Sequence, residues 1–114
     1  MSKRRDPDYL NDIREAMRRI LIYMADLTYE QFMEDIKTQD AVVRNLEIIG
    51  EATKNLSVNL RKSHPKVPWK DLTGMRDKMI HHYFGINYEI VWTIAKDELP
   101  GLLPRIDRIL AKEN

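Results

Sequence analysis

Apolar residues recur at spacings of three and four along almost the whole chain, the signature of helices that bury one face. Leu10, Ile13, Met17, Ile20, Leu21 and Met24 make the first such stripe. Asp6 is placed to cap it, with Pro7 at the first helical position, where the missing N–H costs nothing. Thr28 and Gln31 have the spacing of a capping box and predict a short helix through "YEQFMED". The pattern restarts near "IKTQDA". Val42, Val43, Leu46, Ile49, Ala52, Thr53, Leu56 and Leu60 then predict one long helix reaching toward Ser63. His64 stands before Pro65, which disfavours helix there, so "HPKVPW" reads as a connector.

Beyond the connector, helix resumes at Trp69 or Asp71, with Leu72, Met75, Met79 and Tyr83 on one face and Gly85 as its stop. Asn87 is the next cap, turning Tyr88, Val91, Trp92 and Ala95 inward. Pro100 should break or kink that helix before Leu102, Leu103, Ile106, Ile109 and Leu110 finish the chain. No stretch alternates apolar and polar with period two, and no Asn-Gly or Asp-Gly hairpin signal occurs. The pattern predicts an all-α, up-and-down bundle of four to five main helices. At 114 residues it is a single domain over 1–114, large enough for one modest core.

Composition removes several functions. With 43% hydrophobic and 32% charged residues the chain is ordinary globular material. Its 19 basic and 18 acidic residues leave a net charge of +1, so any attraction for nucleic acid must be local. The absence of cysteine excludes disulfides, thiol catalysis and thiolate metal sites, and fits a reducing compartment. "MSKRRDPDYL" has no apolar segment behind it to act as a secretory signal, and "ILIYMA" is far short of the roughly 20 residues that span a bilayer. A cytoplasmic protein without a membrane partner is expected.

Metal and phosphate-loop chemistry lack their residues. The four glycines stand apart at 50, 74, 85 and 101, no Glu-x-x-His serves a di-iron bundle, and no His-x-x-x-His serves zinc. No metal and no cofactor are expected. Met17, Met24, Met75 and Met79 have core spacing. The basic runs at 3–5 and at Arg14, Arg18 and Arg19 read as solvated helix faces.

"RDKMIHHYFGI", residues 76–86, is different. An arginine five positions before some histidine arises by chance in roughly one chain in four of this composition; adding a tyrosine two positions later lowers that to about one in a hundred. Lys78, His81 and His82 near a helix C-terminus would also complement its dipole. That accounts for their charge alone. Arg76 and His81 lie about 140° apart on an ideal helix, so they converge only if the helix ends near His81 or if a second copy faces the first. An imidazole with an ordinary pKa of about 6.5 can carry protons to and from a ribose 2′-OH or a leaving oxygen. A permanently charged guanidinium can hold the phosphate without metal.

The chain resembles HEPN-domain proteins of the HepT-like toxin family, partners of a minimal nucleotidyltransferase antitoxin. The resemblance rests on "RNLEIIGEA" at 44–52, "VPW" at 67–69, "GMRDKMIHHYFGIN" at 74–87, and "VW" at 91–92 followed by "LPGLLPRI". The family motif is Arg, four residues, His, one residue, Tyr, met here by Arg76, His81 and Tyr83, with the usual polar residue after the arginine supplied by Asp77. The resemblance implies a homodimer with both motifs in one cleft, metal-independent cleavage of RNA with no role for DNA, and catalysis by Arg76 and His81. Asp77 and His82 would support them. It further implies that a cognate antitoxin transfers AMP to Tyr83. The alternative is a non-catalytic nucleotide-binding or nucleotidyltransferase-docking helical module, which leaves the complete motif without a purpose.

Overall fold

The computed structural model describes residues 3–81 and 85–113, His81 through its backbone alone. Its architecture is all-α. Helix α1 (Asp6–Met24) and helix α3 (Ile36–Lys54) are the two longest elements and pack along each other, joined by short α2 (Tyr29–Glu34). Short helices α4 (Val58–Ser63), α5 (Trp69–Thr73) and α6 (Met75–Met79) follow. Strands β1 (Ile80–His81) and β2 (Gly85–Ile86) pair antiparallel. Then α7 (Tyr88–Thr93), one π-helical turn (Ile94–Glu98) and α8 (Leu99–Glu113) close the bundle, with α8 against α1.

The apolar stripes become the core. Leu10, Ile13, Met17, Ile20 and Met24 of α1 meet Val42, Leu46 and Ile49 of α3 and Leu99, Ile106, Ile109 and Leu110 of α8, all buried. Met75 and Met79 are buried with Leu72, as their spacing predicts, so these methionines are packing residues. Of the basic residues at the start of the chain, Arg4 pairs with Asp12 at 2.7 Å and Arg18 with Glu15 at 3.2 Å, and Arg4, Arg5, Arg18 and Arg19 are exposed.

Several boundaries differ from the sequence pattern, each for a local reason. Arg5, not Asp6, caps α1: its N–H donates to the Asp8 carboxylate at 2.9 Å, and Asp6 and Pro7 are the first two helical residues. The Asp6 carboxylate is used elsewhere. It accepts the Ser57 N–H at 2.8 Å and the Ser57 hydroxyl at 2.6 Å, tying the start of α1 to the chain just after α3. That contact marks where the expected long helix to Ser63 divides. The Ser57 hydroxyl accepts the Leu60 N–H at 3.1 Å and so caps a separate α4. Leu56 and Leu60 remain buried across the break, which is why periodicity alone read straight through it.

Pro100 does not break its helix. A proline ring collides with the carbonyl four residues earlier, here that of Lys96, and removes one hydrogen bond. The wider π turn spanning Ile94–Glu98 lies where that collision would fall, and the helix runs on through Pro100 to Glu113. The predicted caps at Thr28 and Asn87 are present: Thr28 and Gln31 exchange bonds of 2.9 and 3.1 Å, and Asn87 Oδ1 accepts from Glu89 and Ile90. Trp92 stands on Tyr29 and Phe32, with ring centroids 5.6 and 5.7 Å away, fastening α7 to α2.

Candidate functional site

The segment that carries the motif is set by two glycines and one helix end. Gly50 on α3 is buried, and a Cβ there would lie 3.3 Å from the Leu72 carbonyl oxygen and 3.4 Å from Met75 Cβ. The absence of a side chain lets α5 and α6 approach α3 this closely without displacement. Gly74 then divides α5 from α6, accepting from Lys78 N–H and donating to the Lys70 carbonyl, both at 3.0 Å.

Helix α6 lasts five residues and stops at Met79. Ile80 is extended (φ −89°, ψ 127°), and β1 pairs with β2 in the register Ile80 to Ile86 and His81 to Gly85. The Asn87 N–H closes the ladder by donating to the Met79 carbonyl at 2.7 Å. Gly85 has φ +77°, a left-handed conformation that serves the returning strand. The apolar spacing predicts helix as far as Tyr83, with Gly85 as its stop. The correction is that helix ends four residues earlier, because β-branched Ile80 enters a short antiparallel ladder.

This early end alters the geometry of the motif. Arg76 is exposed in the first turn of α6, while the backbone of His81 belongs to β1. The helical angle of about 140° between them therefore does not apply. Asp77 is exposed beside Arg76. Lys78 faces the other way and meets Glu98 of the π turn at 3.5 Å. His82 and Tyr83 lie outside the described residues.

Arg76 opens onto a groove of 450 Å³ between α3 and the α5–α6 corner. Arg44, Glu47, Glu51 and Lys54 of α3 form one wall, Thr73 and Arg76 the other. Lys54 pairs with Glu51 at 3.3 Å across the exposed surface. Three cations against two carboxylates leave the groove net positive, suited to a phosphodiester more than to a neutral ligand. The sequence pattern does not single out this wall as part of the site. The signal was present, since residues 44, 47, 51 and 54 are charged at helical spacings of three, four and three around a buried Gly50. A charged stripe beside an apolar one is also what any exposed helix face shows, so only the packing of α6 onto it distinguishes the two.

Residues 13–109 match the pattern that defines the family described as ribonuclease HepT-like. The chain belongs to that family. Three relatives match it along most of both chains. A candidate RNase of Methanocaldococcus jannaschii is 48% identical over 102 residues, covering 90% of this chain and 84% of that one. A candidate ribonuclease HepT of Thermococcus cleftensis is 42% identical over 107 residues, covering 94% and 97%. A candidate RNase of Caldanaerobacter subterraneus subsp. tengcongensis is 45% identical over 105 residues, covering 92% and 94%. No solved structure matches the chain at comparable significance. As a HepT-like chain it has the all-α fold expected of a HEPN domain. No helix among its described residues is long and apolar enough to cross a membrane.

Proposed function

We propose that this HepT-like chain is a metal-independent endoribonuclease, the toxin of a toxin–antitoxin pair, acting as a homodimer whose two Arg76/His81 sets share one cleft. The observation that carries the reading is the end of α6 at Met79, which separates the backbone settings of Arg76 and His81 inside a family-specific motif. Family membership and the names of its relatives support RNA as the substrate. Ile80, 40% exposed directly before His81, offers an apolar contact for a second copy beside the motif.

In this reading one His81 imidazole takes the proton of a ribose 2′-OH. The 2′-oxygen attacks the adjacent phosphorus, the bond from phosphorus to the 5′-oxygen breaks, and the protonated His81 of the second subunit gives its proton to that leaving oxygen. The products are a 2′,3′-cyclic phosphate and a 5′-hydroxyl. Arg76 holds the phosphate and offsets the charge that builds on its oxygens. Asp77 and His82 act in support by orienting these two. An AMP group on Tyr83, placed there by a cognate nucleotidyltransferase, adds a negative phosphodiester and an adenine next to Arg76, occupying the phosphate position and repelling RNA.

The test is cleavage of purified RNA in the presence of EDTA. Wild type is expected to cut and to leave cyclic phosphate ends, and Arg76→Ala to lose at least on the order of 100-fold in rate while keeping its melting temperature. Loss of all wild-type cleavage in EDTA would contradict the metal-independent mechanism. For regulation, co-expression with the nucleotidyltransferase and ATP should add mass in AMP units to the peptide containing Tyr83. Tyr83→Phe should escape silencing. A Tyr83→Phe protein that is still neutralised would assign inhibition to complex formation instead.

A further inference from the structure

The chain is nearly neutral, yet its charge is unevenly distributed. Between Glu51 and Asp71 there are five lysines and arginines and no acidic residue. This stretch builds α4, the connector at 64–67 and the start of α5, and two further grooves open along it. The first, of 490 Å³, lies between the connector and α8 and is lined by His64 and Lys66 on one side and Arg105, Arg108 and Lys112 on the other, over Val67 and Ile109. No carboxylate lines it. Residues 105, 108 and 112 share one face of α8, and the Arg105 guanidinium donates to the Lys66 carbonyl at 2.9 Å, pinning the connector to that face. Among the described residues, none of Lys66, Arg105, Arg108 and Lys112 pairs with an acidic side chain.

The second groove, of 420 Å³, is lined by Arg61, Lys62, Lys70 and Thr73. Thr73 also lines the groove that holds Arg76, so the two grooves adjoin at that residue. The Arg61 Nε is buried with no hydrogen-bond partner among the described residues, a donor without an acceptor inside a basic groove.

We propose that the groove between the connector and α8 is a second phosphodiester-binding site that holds single-stranded RNA away from the cut, with Arg61, Lys62 and Lys70 carrying the strand toward Arg76. The inference rests on the ribonuclease reading and extends it to substrate class: an RNA long enough to occupy both sites. The chemistry matches a polyanion. Unpaired cations project from two walls over an apolar floor, and the half-buried ring of His64 offers a face on which a base can stack. This histidine, the one outside the motif, then has a function as well.

The experiment measures binding, not cleavage, on a His81→Ala background, by anisotropy of a fluorescent single-stranded RNA of about 20 nucleotides across a salt series. A variant carrying Lys66→Gln, Arg108→Gln and Lys112→Gln changes three exposed cations and leaves Arg105 and its hydrogen bond in place. At about 0.7 in log–log slope per phosphate contact on a single strand, its salt dependence should flatten by about 2, and its affinity at 0.1 M salt should fall on the order of 100-fold. A control with Arg18→Gln, Arg19→Gln and Lys37→Gln removes equal charge elsewhere and should bind nearly as the parent does. Melting curves verify that all three proteins are folded; if the triple variant is not, Lys112→Gln alone should still flatten the slope by about 0.7. Equal binding by parent and groove variants overturns the proposal and leaves the ribonuclease reading intact. Equal losses in groove variant and control overturn it in favour of net charge. If the parent binds no RNA at all, both readings fail. If RNA binding is unchanged but co-purification with a nucleotidyltransferase is lost, the groove is a protein-docking surface and the proposal is overturned.

Discussion

Gly50 determines how near the motif comes to α3. A Cβ there would sit 3.3 Å from the Leu72 carbonyl oxygen and 3.4 Å from Met75 Cβ, so the corner that precedes Arg76 would have to give by a few tenths of an ångström. Helix propensity favours replacing a glycine inside a helix by about 1 kcal/mol, but a branched side chain at a contact of 3.3 Å brings overpacking of about 1–3 kcal/mol and a rotamer restriction. Strain should win. Gly50→Val is expected to lower the melting temperature by several degrees, and RNA cleavage with it, whereas the exposed Gly101→Ala should not. A second residue gives a pH signature. Asp35 caps α3, and its hydrogen bonds from the Thr38 hydroxyl and N–H, at 2.6 and 3.0 Å, hold its carboxyl below the usual carboxylate range. A depressed folded pKa contributes stability that is present above the unfolded value of about 3.9 and is lost as pH falls through the folded value. Melts of wild type and Asp35→Ala should therefore differ at pH 6, and the difference should shrink as pH falls below the usual carboxylate range. A constant difference over that range would mean the carboxylate charge is not what the cap uses.

The elements themselves were largely legible in the sequence, and their ends were not. The stripes on α1, α3 and α8 are long and strictly periodic, so burial of one face suffices to find them. The short elements are settled by contacts between residues far apart in the chain. Ser57 becomes a cap in a position defined by Asp6, 51 residues away. The hairpin of Ile80 and Ile86 needs the Asn87 N–H to close on Met79, and a two-residue strand is too short to show alternation. Of the proposed motif, Arg76, His81 and Tyr83 are singled out by the family resemblance, whereas the α3 wall beside Arg76 looks in sequence like any charged helix face. The same logic applies to the π turn. Lys96 leaves it to donate to the Met24 carbonyl at 2.8 Å and lies 5.2 Å from the centre of the Trp92 ring. Lys96→Met keeps the apolar stem and loses both contacts, and should cost about 1–2 kcal/mol in urea unfolding. No measurable loss would show that the turn is held by the buried Ile94 and Ala95 alone.

At the scale of the whole molecule, the account requires two copies. A single domain of 114 residues presents Arg76 on a short helix and His81 on a strand end, and general acid and general base must both be supplied in one turnover. A symmetric pair provides two of each. If the proposed dimer forms through the Ile80 face, wild type should sediment as a dimer and Ile80→Glu as a folded monomer without cleavage activity; an active monomer would refute the shared cleft. The most direct test of the central claim compares His81→Ala with His82→Ala in cleavage of a defined single-stranded RNA with EDTA present. The account expects His81→Ala to fall at least on the order of 100-fold below wild type, with His82→Ala retaining most of the rate. Full activity in His81→Ala, or loss confined to His82→Ala, would contradict it.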